Sequence, residues 1–143
     1  MPQATGHDQQ EREGLMRIIG GRHRGTKLAD LAGDKTRPTS DRVRESLFNI
    51  LDGGRFGAVV RDAVVIDLFA GTGALGLEAL SRGAQHASFV ENDGAALGVV
   101  RANIARLKRG DDTAVLAGNA TSLGSLCNIC TDNGQPRCIC SGN

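Results

Sequence analysis

The nearly unbroken apolar run Ala63-Val64-Val65-Ile66-Asp67-Leu68-Phe69 leads straight into Gly71-Thr72-Gly73-Ala74-Leu75-Gly76, and this junction constrains the fold more than any other feature of the chain. A β-branched run of that kind is what a strand buried on both faces of a parallel sheet requires. A glycine-rich turn directly behind it lets the backbone reverse into a helix and approach a ligand that side chains would block. Glu91 stands 20 positions beyond Gly71, where the next strand ends, and can accept hydrogen bonds from both hydroxyls of a ribose. Strand, turn, helix and acid in that order predict a nucleotide-binding βαβ unit.

The flanking pattern extends the unit. Ala74 to Arg82 is helical and stopped by Gly83. A second strand, Ala87 to Glu91, precedes a helix from about Ala95 to Leu107 and a third short strand, Thr113 to Ala117. About three parallel strands alternating with helices give an α/β, Rossmann-like sheet. Upstream, residues 17 to 28 read as a basic β-hairpin, two short strand-like pieces around a Gly- and Arg-rich turn. Lys35 to Ser40, containing Pro38, is a loop. From Asp41 the spacing Val43, Leu47, Ile50, Leu51 gives an amphipathic helix, with Thr39, Ser40 and Asp41 available to cap it and Gly53 and Gly54 to end it. Residues 1–15 have almost nothing to bury and read as a disordered leader, with Met16 the more natural start.

Two ligand classes suit such a glycine loop: a dinucleotide with its pyrophosphate, and S-adenosylmethionine with its cationic methionine end. Asp67, four residues before Gly71, separates them. A carboxylate there repels a pyrophosphate and pairs with an ammonium group. The alternatives are a loop hydrogen bond for Asp67 and an ordinary surface acid for Glu91.

At 143 residues, 40% hydrophobic and 23% charged, the chain has the composition of one globular domain. No apolar run reaches the length of a membrane span, and the first fifteen residues are too polar for a secretory signal. The expected compartment is the cytoplasm. Net charge is only +1, yet residues 17 to 44 carry eight basic side chains against three acidic ones. A local basic patch is the kind of surface that meets phosphates, although a solvated, salt-bridged face has the same composition.

The stretch Asp67-Leu68-Phe69-Ala70-Gly71-Thr72-Gly73-Ala74-Leu75-Gly76-Leu77-Glu78-Ala79 resembles the cofactor motif of the RsmD family of 16S ribosomal RNA guanine-N2 methyltransferases. Arg17-Ile18-Ile19-Gly20-Gly21 and Arg37-Pro38-Thr39-Ser40-Asp41-Arg42-Val43-Arg44-Glu45-Ser46-Leu47-Phe48-Asn49 are similar to its amino-terminal signatures, so the resemblance runs in order from about Met16 to Gly124. It implies a methyltransferase sheet with S-adenosylmethionine at the carboxyl ends of the strands and a guanine exocyclic amine as acceptor. By matched position Asp67 and Gly71, Thr72 and Gly73 would face the methionine part, Glu91 the ribose and Asn119-Ala120 the adenine edge, with Phe69, Ala70 and Asn92 alongside. Asn119 could equally be a turn residue. Arg22, Arg24, Lys27, Arg37, Thr39 and Arg42 would contact the RNA, in 16S ribosomal RNA or a small-subunit assembly particle, and hold the target nucleotide near the cofactor.

The same resemblance raises an expectation of loss. Enzymes of this kind carry Asp or Asn followed by Pro-Pro and an aromatic residue after the fourth strand, where acceptors orient the amine. Here Pro2, Pro38 and Pro136 are isolated and the chain has no Tyr or Trp, so catalytic residues are not assignable and little turnover is expected. Without a fourth strand, residues 63 to 69 should become an open, apolar sheet edge. Composition changes abruptly after Gly124, and residues 125–143 are expected to be an irregular tail read from a shifted frame or other unusual gene ending. Its Cys127, Cys130, Cys138 and Cys140 could offer four thiolates to zinc, but the second pair lacks the usual two-residue gap, and no metal is expected. A cytoplasmic setting disfavours disulfides. The competing functions are a nicotinamide-dependent oxidoreductase fragment, and a non-enzymatic zinc- or RNA-binding module.

Overall fold

The computed structural model describes residues 16–30, 41–119 and 121, together with the backbone of 138–141. The expected leader, the loop of residues 35 to 40, Ala120, Cys127 and Cys130 lie outside the described residues. The described residues open with the expected hairpin, β1 (Met16–Arg17) antiparallel to β2 (Lys27–Leu28). Helix α1 follows (Asp41–Asp52), then β3 (Val64–Asp67), α2 (Ala74–Ser81), β4 (His86–Glu91), α3 (Gly94–Leu107), a single 3-10 turn (Gly110–Asp112) and β5 (Thr113–Ala117). The three predicted sheet strands are present and parallel, Val64 registering with His86 and Glu91 with Ala117.

The expectation of an open edge is corrected by a fourth strand, while of the tail expected over residues 125–143 only 138–141 are among the described residues. β6 (Cys138–Ser141) pairs parallel with β3, from Val64 opposite Cys138 to Asp67 opposite Ser141, so the sheet order is β5-β4-β3-β6. A buried apolar strand with unpaired amides is costly, and a short segment of extended backbone is enough to satisfy them. Composition does not reveal this, because four residues of strand need no periodicity of their own.

Alternation along β3 and β4 puts Ala63, Val65, Ala87 and Phe89 on one face. There they share a core with Leu77 and Leu80 of α2, Val100 and Ile104 of α3, Phe48 of α1, and Met16, Ile18 and Leu28 of the hairpin. The hairpin therefore packs against both crossover helices, bonded to Glu78 and Ser81 of α2 and to Asn103 of α3. Asn103 fastens it: its Oδ1 accepts the Ala29 N–H at 2.7 Å, and its Nδ2 donates to the carbonyls of Ala29 and Thr72 at 3.0 and 2.8 Å.

Helix α1 forms over the expected residues but turns a different face inward. Val43, Leu47 and Ile50 are 56, 41 and 58% exposed, whereas Arg44 and Phe48 are buried and Leu51 is partly so. An ion pair sets the rotation. Arg44 reaches into the interior to Glu78 of α2, which draws the 44-48-51 stripe to the core and swings the 43-47-50 stripe to the surface.

Candidate cofactor site

Three carboxylates gather where β3 and β4 end. Asp67 closes β3 and is 2% exposed; its Oδ2 accepts the N–H of Gly76, in the first turn of α2, at 3.4 Å. Glu91 closes β4 and holds the loop from the other side. Its Oε1 accepts the Gly71 N–H at 2.9 Å, and its Oε2 accepts those of Asn92 and Asp93 at 2.9 and 3.0 Å. Asp93 caps α3 by accepting the Ala96 N–H at 2.9 Å.

Between the first two acids runs the glycine loop. Gly71 and Gly73 have φ of 56° and 82°, the left-handed region that favours glycine. A Cβ at Gly71 would meet no atom within 4 Å, so this turn presents bare backbone to open space. Gly76 serves a different need: a Cβ there would fall 2.4 Å from the Phe89 ring, so its missing side chain is what lets α2 lie against β4. Ala70 is buried and donates its N–H to the Val90 carbonyl at 3.1 Å, tying the loop to β4.

The remaining expected cofactor residues divide. Phe69 is 61% exposed at the loop's entry, and Asn92 is exposed beside Glu91. Thr72 is buried, with its hydroxyl 3.4 Å from the Met16 sulfur, so that side chain is turned to the hairpin. Asn119 follows β5, and Gly118 just before it donates to the Glu91 carbonyl at 3.0 Å. The Asn119 Oδ1 accepts the Thr121 N–H at 3.0 Å, the side-chain turn that the alternative reading of this residue anticipates.

The expected RNA contacts do not share one place. The hairpin tip docks at the carboxyl end of α2, where Arg22 N–H donates to the Ser81 carbonyl at 2.8 Å and His23 N–H to Ser81 Oγ at 2.8 Å. Arg22 and Arg24 are thus at the opposite end of α2 from the glycine loop. Arg42 sits in the first turn of α1, whose neighbour Asp41 pairs with Arg17 at 3.4 Å, close to Met16 and so to Thr72. Arg37 and Thr39 lie outside the described residues.

Sequence reasoning missed Glu78. It is fully buried and accepts from the backbone N–H groups of Ile19 and Gly20, both at 2.9 Å, from Arg44 Nε at 3.4 Å and from Arg82 Nε at 2.8 Å. The signal was available: an acid inside the apolar segment Ala74-Leu75-Gly76-Leu77-Glu78-Ala79-Leu80 has to be paired to be buried.

Chemically, two carboxylates around a bare backbone turn suit a cation and hydroxyl groups. A helix amino terminus ordinarily offers its N–H groups to phosphate. Here the Asp67 carboxylate already takes one of them and adds negative charge where a pyrophosphate would lie. Open space over Gly71, a buried acid at the base and a second acid at the rim fit S-adenosylmethionine.

Known proteins are similar to this chain in sequence and fold. The profile of the family described as Conserved hypothetical protein 95 matches residues 16–130. Ribosomal RNA small subunit methyltransferase D of Escherichia coli K12 is 49% identical over 109 residues, covering 76% of this chain and 52% of that protein. The solved structure of Escherichia coli yhhF superposes with a TM-score of 0.66 at 45% identity, over 77% of this chain and 56% of that one. A hypothetical protein of Thermus thermophilus gives a TM-score of 0.64 at 32% identity, over 84% and 63%. The chain spans about half the length of the curated relatives it matches.

Proposed function

The chain belongs to the family described as Conserved hypothetical protein 95, the RsmD family, and on that premise we propose that residues 16–124 bind S-adenosylmethionine as part of an enzyme that methylates the exocyclic N2 of a guanine in 16S ribosomal RNA. The observation that carries this reading is the pairing of Asp67 and Glu91 around the left-handed Gly71 turn at the carboxyl ends of parallel strands.

When bound, S-adenosylmethionine supplies a methyl group activated on a sulfonium. The Asp67 carboxylate would accept hydrogen bonds from the methionine ammonium and favour the adjacent positive charge. Bare backbone at Gly71 lets the carboxylate end of the methionine approach without a side chain in its way. Glu91 accepts from the ribose. A carboxylate has about four acceptor positions and three backbone N–H groups already use this one, so it would have about one acceptor position left for a ribose hydroxyl.

The bound cofactor would supply the methyl group, and a rate-enhancing site would also have to aim the acceptor amine at it. The residues that do so in enzymes of this kind, Asp or Asn with Pro-Pro and an aromatic, are absent from this sequence. Our reading is therefore a chain that holds the cofactor in the cytoplasm and engages small-subunit RNA, with little turnover by itself.

Isothermal titration with S-adenosylmethionine and, separately, NAD tests the reading. Heat from the first and none from the second supports it; the reverse pattern makes the chain a dinucleotide binder and overturns it.

A further inference from the structure

The tip of the hairpin does not stand alone. Arg106, in the last turn of α3, donates from Nη1 to the Lys27 carbonyl at 3.0 Å, and Arg109, two residues past the helix, donates from Nη1 to His23 Nε2 at 3.3 Å. Two segments some eighty residues apart in sequence thus bring Arg22, Arg24, Lys27, Arg106, Lys108 and Arg109 onto one surface. All but Arg109 are exposed. The acids on these two segments are Asp112, which pairs with Arg109 at 2.8 Å, the exposed Asp111, and Asp30 just past β2. The group keeps a marked positive excess in a chain whose net charge is +1.

Helix electrostatics explains only part of it. Cations are favourable at the carboxyl end of α3, which accounts for Arg106, Lys108 and Arg109. It gives no reason for Arg22 and Arg24 to sit on a turn docked next to them, where each added cation raises the repulsion on the others. A polyanion removes that repulsion, and the arginine forks with a lysine between them match a row of phosphates.

Position gives the surface a distinct role. Both the hairpin tip and Arg109 lie at the carboxyl ends of α2 and α3, while the glycine loop, Glu91 and Asp93 lie at the amino ends of the same helices. The 14 residues of α3 span about 21 Å at ~1.5 Å per residue. We propose that Arg106, Lys108 and Arg109 join Arg22, Arg24 and Lys27 as one phosphate-binding surface that grips the RNA backbone at nucleotides removed from the one carried to the cofactor. This rests on the ribosomal RNA reading above and deepens it: the surface anchors the RNA by its backbone and leaves the choice of base to the other end of the helices.

The test is the salt dependence of binding to a 16S ribosomal RNA transcript by the full chain, wild type against the double variant Arg106→Gln/Lys108→Asn. Lys108 has φ 56°, a conformation that asparagine tolerates well, so Lys108→Asn alone is the variant least able to disturb folding. Each lost phosphate contact should lower the slope of log K against log salt by about 0.7 to 0.9; the double variant should bind several-fold more weakly at moderate salt, and Lys108→Asn alone should bind more weakly with an unchanged melting midpoint. Wild-type binding with slope and affinity unmoved in both variants overturns the proposal and leaves the cofactor reading intact. No wild-type binding to the transcript overturns the proposal and the ribosomal RNA reading with it.

Discussion

Arg44 of α1 and Glu78 of α2 form an ion pair buried on both sides, Nε to Oε1 at 3.4 Å, with neither side chain reaching solvent. Their contacts connect three parts of the chain. Glu78 also holds the backbone of Ile19 and Gly20 and pairs with Arg82 at 2.8 Å, while Arg44 donates to the Arg17 carbonyl and pairs with Asp41 at 2.8 Å. Arg82 in turn lies over the Phe48 ring, 5.1 Å from its centroid. The helix that opens from the glycine loop is thereby bolted to the hairpin and to α1.

Removing one partner of a buried pair costs up to about 3 to 5 kcal/mol, and somewhat less here because Arg44 keeps Asp41 at 2.8 Å. Glu78→Gln should therefore unfold at a markedly lower denaturant midpoint than wild type, and Glu78→Gln combined with Arg44→Met should recover part of the loss. A denaturation series on the two variants checks this. Equal or greater instability in the double variant would mean that Arg44 stabilises the fold through Asp41 and the Arg17 carbonyl even without Glu78.

Gly76→Ala should be destabilised by roughly 1 to 3 kcal/mol, the cost of overpacking a formed core, because the new methyl would meet the Phe89 ring at 2.4 Å. Phe89→Leu in the same chain should restore stability by vacating that space. Thermal unfolding of the single and double variants reads the compensation directly. Since the clash lies behind the loop, on the packed side of α2, the effect is expected without any ligand present.

Asp67→Asn should fold, because the side-chain oxygen of asparagine still accepts the Gly76 N–H that Asp67 holds at 3.4 Å. What it loses is the charge that meets the methionine ammonium. A charge-assisted hydrogen bond contributes about 1.5 to 3 kcal/mol, so calorimetry should find S-adenosylmethionine bound roughly ten- to a hundredfold more weakly.

These consequences were legible to unequal degrees in the sequence. The strand-loop-helix junction was fully so: Asp67, Gly71 and Glu91 are local to strand ends, and the parallel pairing that aligns β3 with β4 follows from two apolar runs and one crossover helix. The facing of α1 was not, since its apolar spacing fits the 43-47-50 stripe as well as a helix can, and only a partner 34 residues away decides that Arg44 goes inside. The basic residues were visible one by one. That Arg22 and Arg24 belong at the far end of α2 from the cofactor loop depends on how the hairpin docks, which is a tertiary fact carried by Ser81 and Glu78.

His23 gives that docking a pH dependence. Burial, then the neighbouring Arg109 and Arg22, hold its imidazole below the usual value of 6.5. The unfolded chain therefore takes up a proton that the folded chain resists, so the stability is complete above about pH 6.5 and declines as pH falls from there towards the lowered folded value. Protonation would also end the acceptor role of Nε2 toward Arg109. Denaturation midpoints measured between about pH 7 and pH 5 should fall in wild type, and His23→Gln should flatten that part of the decline.

The β3–β6 pairing makes the last prediction. In a parallel strand successive residues direct their N–H groups to opposite sides, so of Ile139 and Cys140 one donates toward Val64–Asp67 and the other points to the sheet's outer edge. Proline removes the donor. Ile139→Pro and Cys140→Pro should therefore differ: one should uncover β3, raising dye binding to exposed apolar surface and promoting aggregation, while the other should be much better tolerated. Two equally benign prolines would show that Val64–Asp67 does not depend on this strand for its pairing, and would return β3 to the sheet's edge.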